Sequence, residues 1–268
     1  MDDTRLNRLK LAVRSHNQAA WDRESRQGSP WATAVTSEVI EEARGGNWTI
    51  HLTPNRPVPR EWFGDIRGKR VLCLASGGGQ QAPVLAAAGA RVVSFDLSEE
   101  QLGKDREVSE REGLALTLVQ GDMTDLSPFE EGAFDLIFNP VSSVFIPDLK
   151  PLWRECHRVL RPGGNLLSGF MNPSFFLFDH EEAENTGLLI ARNRLPYGES
   201  DPSALSPARR RDIESGEAME FSHSLEAQIG GQLEAGFTLL GYYEDWWWDE
   251  ATPLNRLSPT SMATRAAR

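Results

Sequence analysis

The chain has 268 residues, 40% hydrophobic and 25% charged, which predicts a soluble globular protein with room for a full core. Its 39 acidic and 28 basic side chains leave a net charge of −11, which argues against a nucleic-acid partner, since phosphate neutralisation supplies most of that affinity. Two cysteines, Cys73 and Cys156, make no disulfide framework and point to a reducing cytoplasm. No run approaches the roughly 18 apolar residues of a membrane span, and the polar start Met1-Asp2-Asp3-Thr4 carries no secretory apolar region. The five scattered histidines and two cysteines show no metal-ligand spacing.

In chain order, Leu6, Leu11 and Val13 form a weak stripe that predicts a helix over 4–20. A second helix is expected over 36–44, stopped by Gly45-Gly46, and Pro54, Pro57 and Pro59 mark an extended linker. From residue 70 strands and helices alternate. The run 70–75 reads as a buried parallel strand, 80–88 as a helix and 91–96 as the next strand. Ser98 then opens a helix as N-cap, with Gln101 three residues on as its capping-box partner. Further strands are expected at 114–119, 134–139 and 165–171. Between the last two, Leu149, Leu152, Trp153, Cys156, Val159 and Leu160 repeat at helical spacing up to Pro162-Gly163-Gly164. Residues 172–215 break the rhythm and read as an insertion capping the open edge of the sheet, with Arg209–Arg211 on solvated loop. A helix over 222–235, a strand over 237–243 and a short strand near 261–265 close the chain, the last two as an antiparallel hairpin. The alternation specifies an α/β fold with a parallel sheet and helices on both faces.

In such a sheet ligands lie beyond the carboxyl ends of the strands. The first strand ends in Ala75-Ser76-Gly77-Gly78-Gly79, where glycine lets a ligand lie on the backbone. The second ends in Asp96, about 20 residues after Gly77, where a carboxylate can accept both hydroxyls of a ribose. Two cofactor classes use this arrangement. Gly77-x-Gly79-x-x-Ala82 satisfies the dinucleotide pattern and keeps an NAD-dependent oxidoreductase open. S-adenosylmethionine (SAM) needs no third glycine, having no pyrophosphate. Gly121-Asp122-Met123 at the end of the third strand favours SAM, as an acidic–apolar pair for the adenine amine and face. The absence of any Tyr-x-x-x-Lys pair also weighs against hydride chemistry.

The stretch Val71–Met171 resembles a class I SAM-dependent methyltransferase. Val71-Leu-Cys-Leu-Ala-Ser-Gly-Gly-Gly79 is similar to that family's first motif, Phe95-Asp96-Leu97-Ser98 to its acidic ribose motif, and Gly121-Asp122-Met123 to its adenine motif. Phe134-Asp-Leu-Ile137 and Arg158-Val-Leu-Arg-Pro-Gly-Gly164 resemble its fourth strand and the turn before the fifth. The resemblance covers about 100 residues and implies a Rossmann-like fold: a seven-stranded, mostly parallel sheet with the last strand antiparallel. It implies that Ser76, Gly77, Gly78 and Gly79 contact the methionyl group and ribose, and that Asp96 holds the ribose hydroxyls. Leu97 would lie against the adenine, and Asp122 and Met123 would bind it. Asn139 would line the methyl-transfer end. Gln101 is a further cofactor candidate, and Asp125 an alternative to Asp122. The family usually carries an acid where Cys73 stands, so the methionyl amino group needs another acceptor, from backbone carbonyls of the glycine loop or from Asn139. Asn139-Pro140 also resembles the Asn-Pro-Pro-Tyr of amino-group methylases acting on bases, but continues as Val141-Ser142 with no aromatic to stack a flipped base.

The expectation is therefore SAM-dependent methyl transfer to a small molecule, catalysed by positioning and without a named base. A non-catalytic SAM-binding protein is the remaining rival. Residues 1–69 are expected to cover the cofactor site, as a segment preceding a methyltransferase domain over 70–268 with its lid at 172–215. Trp21 and Trp31 are candidate covering residues. His223 and His180 read as structural, Cys73 and Cys156 as small core residues, and Trp246–Trp248 as a run too long to bury on one strand face. Oligomeric state stays open.

Overall fold

The computed structural model describes residues 3–200, 205–248 and 250–268, with side chains from residue 8 onward. Seven strands, β1 (Arg70–Leu74), β2 (Arg91–Asp96), β3 (Leu116–Gln120), β4 (Phe134–Asn139), β5 (Leu160–Met171), β6 (Thr238–Asp245) and β7 (Ser261–Ala267), form one sheet of order β3-β2-β1-β4-β5-β7-β6. β3 to β5 run parallel, whereas β7 is antiparallel to both β5 and β6. The strand order reverses between β1 and β4, which opens a crevice beyond their carboxyl ends.

Alternation along β1 shows why its residues specify a central strand. Val71 and Cys73 join one core and Leu72 and Leu74 the other. Helices α2 (Ser37–Arg44) and α3 (Gln81–Ala87) cover the first core with Trp48, Trp62 and Phe63 of the N-terminal segment. Helix α5 (Lys150–Val159) covers the second with Leu152, Trp153, Cys156 and Val159, the apolar stripe visible in the sequence. Helix α4 (Glu99–Glu112) closes on Gly113, which takes the left-handed conformation of a helix stop.

Several boundaries differ from the sequence expectations. Helix α1 runs Asp3–Gln27, beyond residue 20, because Val13, Asn17, Ala20 and Ser25 are all buried by tertiary contacts that the weak stripe does not announce. The stripe's Leu11 instead turns outward, 64% exposed. The insertion reaches past residue 215. It holds α6 (His180–Thr186) and α7 (Pro207–Ser215), while residues 201–204 within it lie outside the described residues. Its chain then returns in extended form through Phe221, so Ser222 and His223 precede the next helix rather than begin it. That helix is a π turn, Glu226–Gly230, leading into α8 (Gly231–Glu234). Arg209 is not on solvated loop. It makes a two-pronged pair with Glu199 at 2.7 and 2.9 Å, and Glu199 is 2% exposed.

Candidate active site

Beyond the carboxyl ends of β1, β2 and β4 lies a cavity of about 500 Å³. Its wall on the β1–β3 side contains Ala75, Ser76, Gly77, Asp96, Leu97, Gln101, Gly121, Asp122 and Met123. The sequence named seven of these nine as cofactor candidates, and the other two, Ala75 and Gly121, as members of the same motifs.

Asp96 at the end of β2 accepts from Gly77 N at 3.0 Å through Oδ2 and from Ser98 N at 2.9 Å through Oδ1. Burial raises its carboxyl above the usual range, the backbone N–H groups of Ser98, Gly77 and Leu97 oppose that, and the Asp22 charge adds to it. Asp22 comes from α1. It accepts the Ser98 hydroxyl at 2.6 Å, which ties the N-terminal helix to the ribose-type site.

The three glycine N–H groups of the loop are all hydrogen-bonded within the chain. Gly77 N donates to Asp96, Gly78 N to Gln101 O at 2.9 Å, and Gly79 N to Asp105 Oδ1 at 2.8 Å. A dinucleotide loop would aim such N–H groups at a pyrophosphate. Here none of the three is free, so the oxidoreductase alternative finds no support. A side chain at Gly77 would meet Gln101 Cβ at 2.8 Å and Asp96 Oδ2 at 3.2 Å, so the loop leaves no space there.

Gln101 is half of the expected capping box. Its N–H is capped by Ser98 Oγ at 3.1 Å, but Ser98 N is taken by Asp96 and no reciprocal bond forms. Its buried Oε1 has no partner among the described residues and belongs to a side chain lining the cavity. An orphaned acceptor beside the ribose-type carboxylate fits a donor-bearing ligand. Asp122 lines the cavity while also capping a turn, accepting from Thr124 N and Oγ1 at 2.8 Å each. Asp125, its alternative, is exposed and caps Ser127 N instead.

Three predicted residues stand behind the wall rather than in it. Gly78 and Gly79 are covered by the N-terminal segment: a Cβ would lie 2.4 Å from Trp31 O and 2.9 Å from Ala34 Cβ respectively. Asn139, 0% exposed, does not line the cavity. Its amide donates to Leu74 O at 3.2 Å and Ser142 Oγ at 2.7 Å, and its Oδ1 accepts from Ser168 Oγ at 3.4 Å. It braces the ends of β1, β4 and β5, and its neighbours Pro140–Ser142 reach the cavity. Asp105 of α4, fully buried and absent from the cavity wall, braces the glycine loop from behind and does not take the place of the acid absent at Cys73. Asp105 holds the loop through Gly79 and accepts the Ser94 hydroxyl at 2.5 Å, and its charge, second to burial, raises the Cys73 thiol. No regular sequence spacing marks it, since it reaches Gly79 and Ser94 of β2 through the packing of α4 on the sheet.

The opposite wall is aromatic. Trp21, Phe145, Phe175, Phe176 and Trp247 line it with Val144 and Met171. Trp21 meets Phe145 edge-on at 5.0 Å and Trp247 stacks on Phe175 at 5.7 Å. Of the tryptophan run only Trp247 turns in, and Trp246 and Trp248 are exposed. Trp31 lines the mouth, and His51 and Thr53 line the cavity from the linker. His180 stacks behind Phe175 at 3.8 Å, and burial lowers its imidazole to about 4. His223 holds the 143–146 turn, its Nε2 lying 3.1 Å from Ser143 O and 2.9 Å from Ile146 O. Glu220 lines the aromatic end and was not read from the sequence, where it sits in an unpatterned acidic stretch.

Residues 72–168 match the family described as a methyltransferase domain. The chain is 50% identical over 235 residues to the uncharacterised methyltransferase YbaJ of Bacillus subtilis, covering 87% of this chain and 91% of that one. In fold it is similar to a SAM-dependent methyltransferase from Mesorhizobium loti (TM-score 0.59, 21% identity, 78% of this chain and 95% of that one). It is likewise similar to the Burkholderia thailandensis 1,6-didemethyltoxoflavin-N1-methyltransferase (TM-score 0.57, 13% identity, 97% and 90%). Identity at half of the 235 residues aligned with a methyltransferase, on a sheet of this order ending in this glycine loop, places the chain in the class I SAM-dependent methyltransferases, an enzyme family with S-adenosylmethionine as cofactor.

Proposed function

We propose that the protein transfers the methyl group of SAM to a small-molecule acceptor bound at the aromatic end of this cavity. The observation that carries the reading is a single cavity joining the Asp96–Gln101–Asp122 wall to an apolar one, at a volume suited to small ligands. In this reading Asp96 accepts both ribose hydroxyls, Gln101 Oε1 accepts a cofactor donor, and Leu97, Asp122 and Met123 enclose the adenine. Ser76 and Gly77 approach the methionyl end, while Gly78 and Gly79 act through the loop's shape. SAM supplies a methyl carbon already activated on a sulfonium. The chain's own work is to hold an acceptor in line with that carbon and to exclude water, which the aromatic wall does.

Residues 1–69 serve as the cover in this reading, since α1, Trp31 and the 51–54 linker line the cavity, and the insertion supplies its outer edge through Phe175, Phe176 and Glu220. The net charge of −11 favours a small acceptor over a nucleic acid. No described helix is long and apolar enough to cross a membrane, and two buried free thiols suit a reducing cytoplasm.

Calorimetry of SAM and S-adenosylhomocysteine with wild type and Asp96→Ala, with NAD as control, tests the cofactor half. Each hydrogen bond to the carboxylate contributes about 1.5–3 kcal/mol, so the substitution weakens SAM by at least about tenfold. Unchanged affinity would remove Asp96 from the site.

A further inference from the structure

Glu220 is fixed by its backbone with its carboxyl left over. Its N–H donates to Glu199 Oε2 at 2.7 Å, and its C=O accepts from Glu199 N at 3.3 Å. On one side Met219 is clasped by Asn17 of α1, with Met219 N to Oδ1 at 2.7 Å and Nδ2 to Met219 O at 3.0 Å. On the other, Phe221 N donates to Val144 O at 2.7 Å. Beneath the segment the Arg209–Glu199 pair is anchored further by Arg209 donating to Ala218 O at 2.6 Å. The Glu220 carboxyl accepts no hydrogen bond among the described residues, and the residue lines the same cavity as Phe145, Phe176 and Trp247. An acid aimed into an apolar pocket by so many backbone bonds invites a ligand donor.

We propose that Glu220 is the acceptor-binding and proton-accepting residue, and that the acceptor is an aromatic compound whose hydroxyl or ring N–H is the group methylated. This rests on the methyl-transfer reading of the cavity. The acceptor's proton passes to the Glu220 carboxylate as the acceptor's lone pair forms a bond to the methyl carbon. The carbon–sulfur bond breaks with its electron pair on sulfur, and Glu220 returns the proton to water. Burial pushes the carboxyl up to about 7, with Arg209 pulling it down and Glu199 and Glu217 pushing it up, so it exchanges a proton near neutrality. The other charges on the cavity wall are paired, Lys10 with Asp148 at 2.7 Å and Arg14 with Asp122 at 3.8 Å, or belong to Asp96 and the half-buried His51.

The test loads wild-type protein with S-adenosylhomocysteine and titrates 2-naphthol against 2-methoxynaphthalene, reading tryptophan quenching. The hydroxyl compound binds about tenfold tighter or more, and that preference grows from about pH 5.5 to 8.5 as the carboxyl ionises. Glu220→Leu abolishes the preference, Glu220→Gln keeps a reduced and pH-independent one, and both bind S-adenosylhomocysteine as wild type does. Equal affinity of the two probes, no binding of either, or a preference that survives Glu220→Leu overturns the proposal. Failure of wild type to bind S-adenosylhomocysteine instead overturns the methyl-transfer reading on which it rests.

Discussion

Asp105→Asn probes the carboxyl beneath the glycine loop. Asp105 is buried on α4, and burial pushes it up to about 7 against the pull of its bonds to Ser94 and Gly79, with Asp96 adding to the rise. An unperturbed Asp titrates near 3.8, so between these values the native state holds a proton that the unfolded state has lost. The stability from this group is therefore complete below about pH 3.8 and is lost as pH rises through about 7. One pKa unit is worth about 1.4 kcal/mol, which bounds the loss at about 4 kcal/mol in mildly alkaline solution. Asn removes the charge and keeps both contacts, its Oδ1 accepting from Gly79 N and its Nδ2 donating to Ser94 Oγ. Urea unfolding should show the variant gaining on wild type by about 2 kcal/mol or more between roughly pH 5 and pH 8.5, with SAM affinity held within about threefold. Parallel pH profiles would refute burial as the cause of the shift. Loss of SAM binding in a folded variant would show that the loop needs the charge itself.

Two further outcomes follow from close contacts. Gly169→Ala places a Cβ 2.1 Å from Leu52 O, so the linker must lift off β5; thermal stability and SAM affinity should fall together, and an unchanged melting temperature would contradict the contact. Asn139→Ala strips three hydrogen-bonding groups of their partner and should cost about 1–3 kcal/mol while leaving SAM affinity within about threefold. A tenfold loss of SAM affinity in a folded Asn139→Ala protein would return that residue to the site.

Patterns that repeat locally were readable in advance. Period-two burial in β1, the α5 stripe from Leu149 to Val159, the stop at Gly113 and the spacing from Gly77 to Asp96 all depend on neighbours within one unit of structure. They marked the sheet and the glycine-loop end of the cavity, while the choice of cofactor class rested on Gly121-Asp122-Met123 and the family resemblance. Resemblance carried the site too far at Asn139, because the same strand end can present a side chain to a ligand or turn it back as a brace, and the Ser142 and Ser168 hydroxyls settle which.

Other features of the site rest on contacts across long sequence separations. Asp105 braces Gly79 of the glycine loop from α4, and Asp22 reaches Ser98 from α1. The aromatic wall draws on residues from α1, the 143–146 turn, the insertion and the stretch after β6, and Asn17 grips Met219 across 202 positions. No periodicity links such residues, since their proximity is made by chain packing rather than by backbone repeat. Local pattern thus accounts for the sheet and the glycine-loop end of the cavity, and the packing of distant segments for its aromatic residues and for the place of Glu220 on its wall.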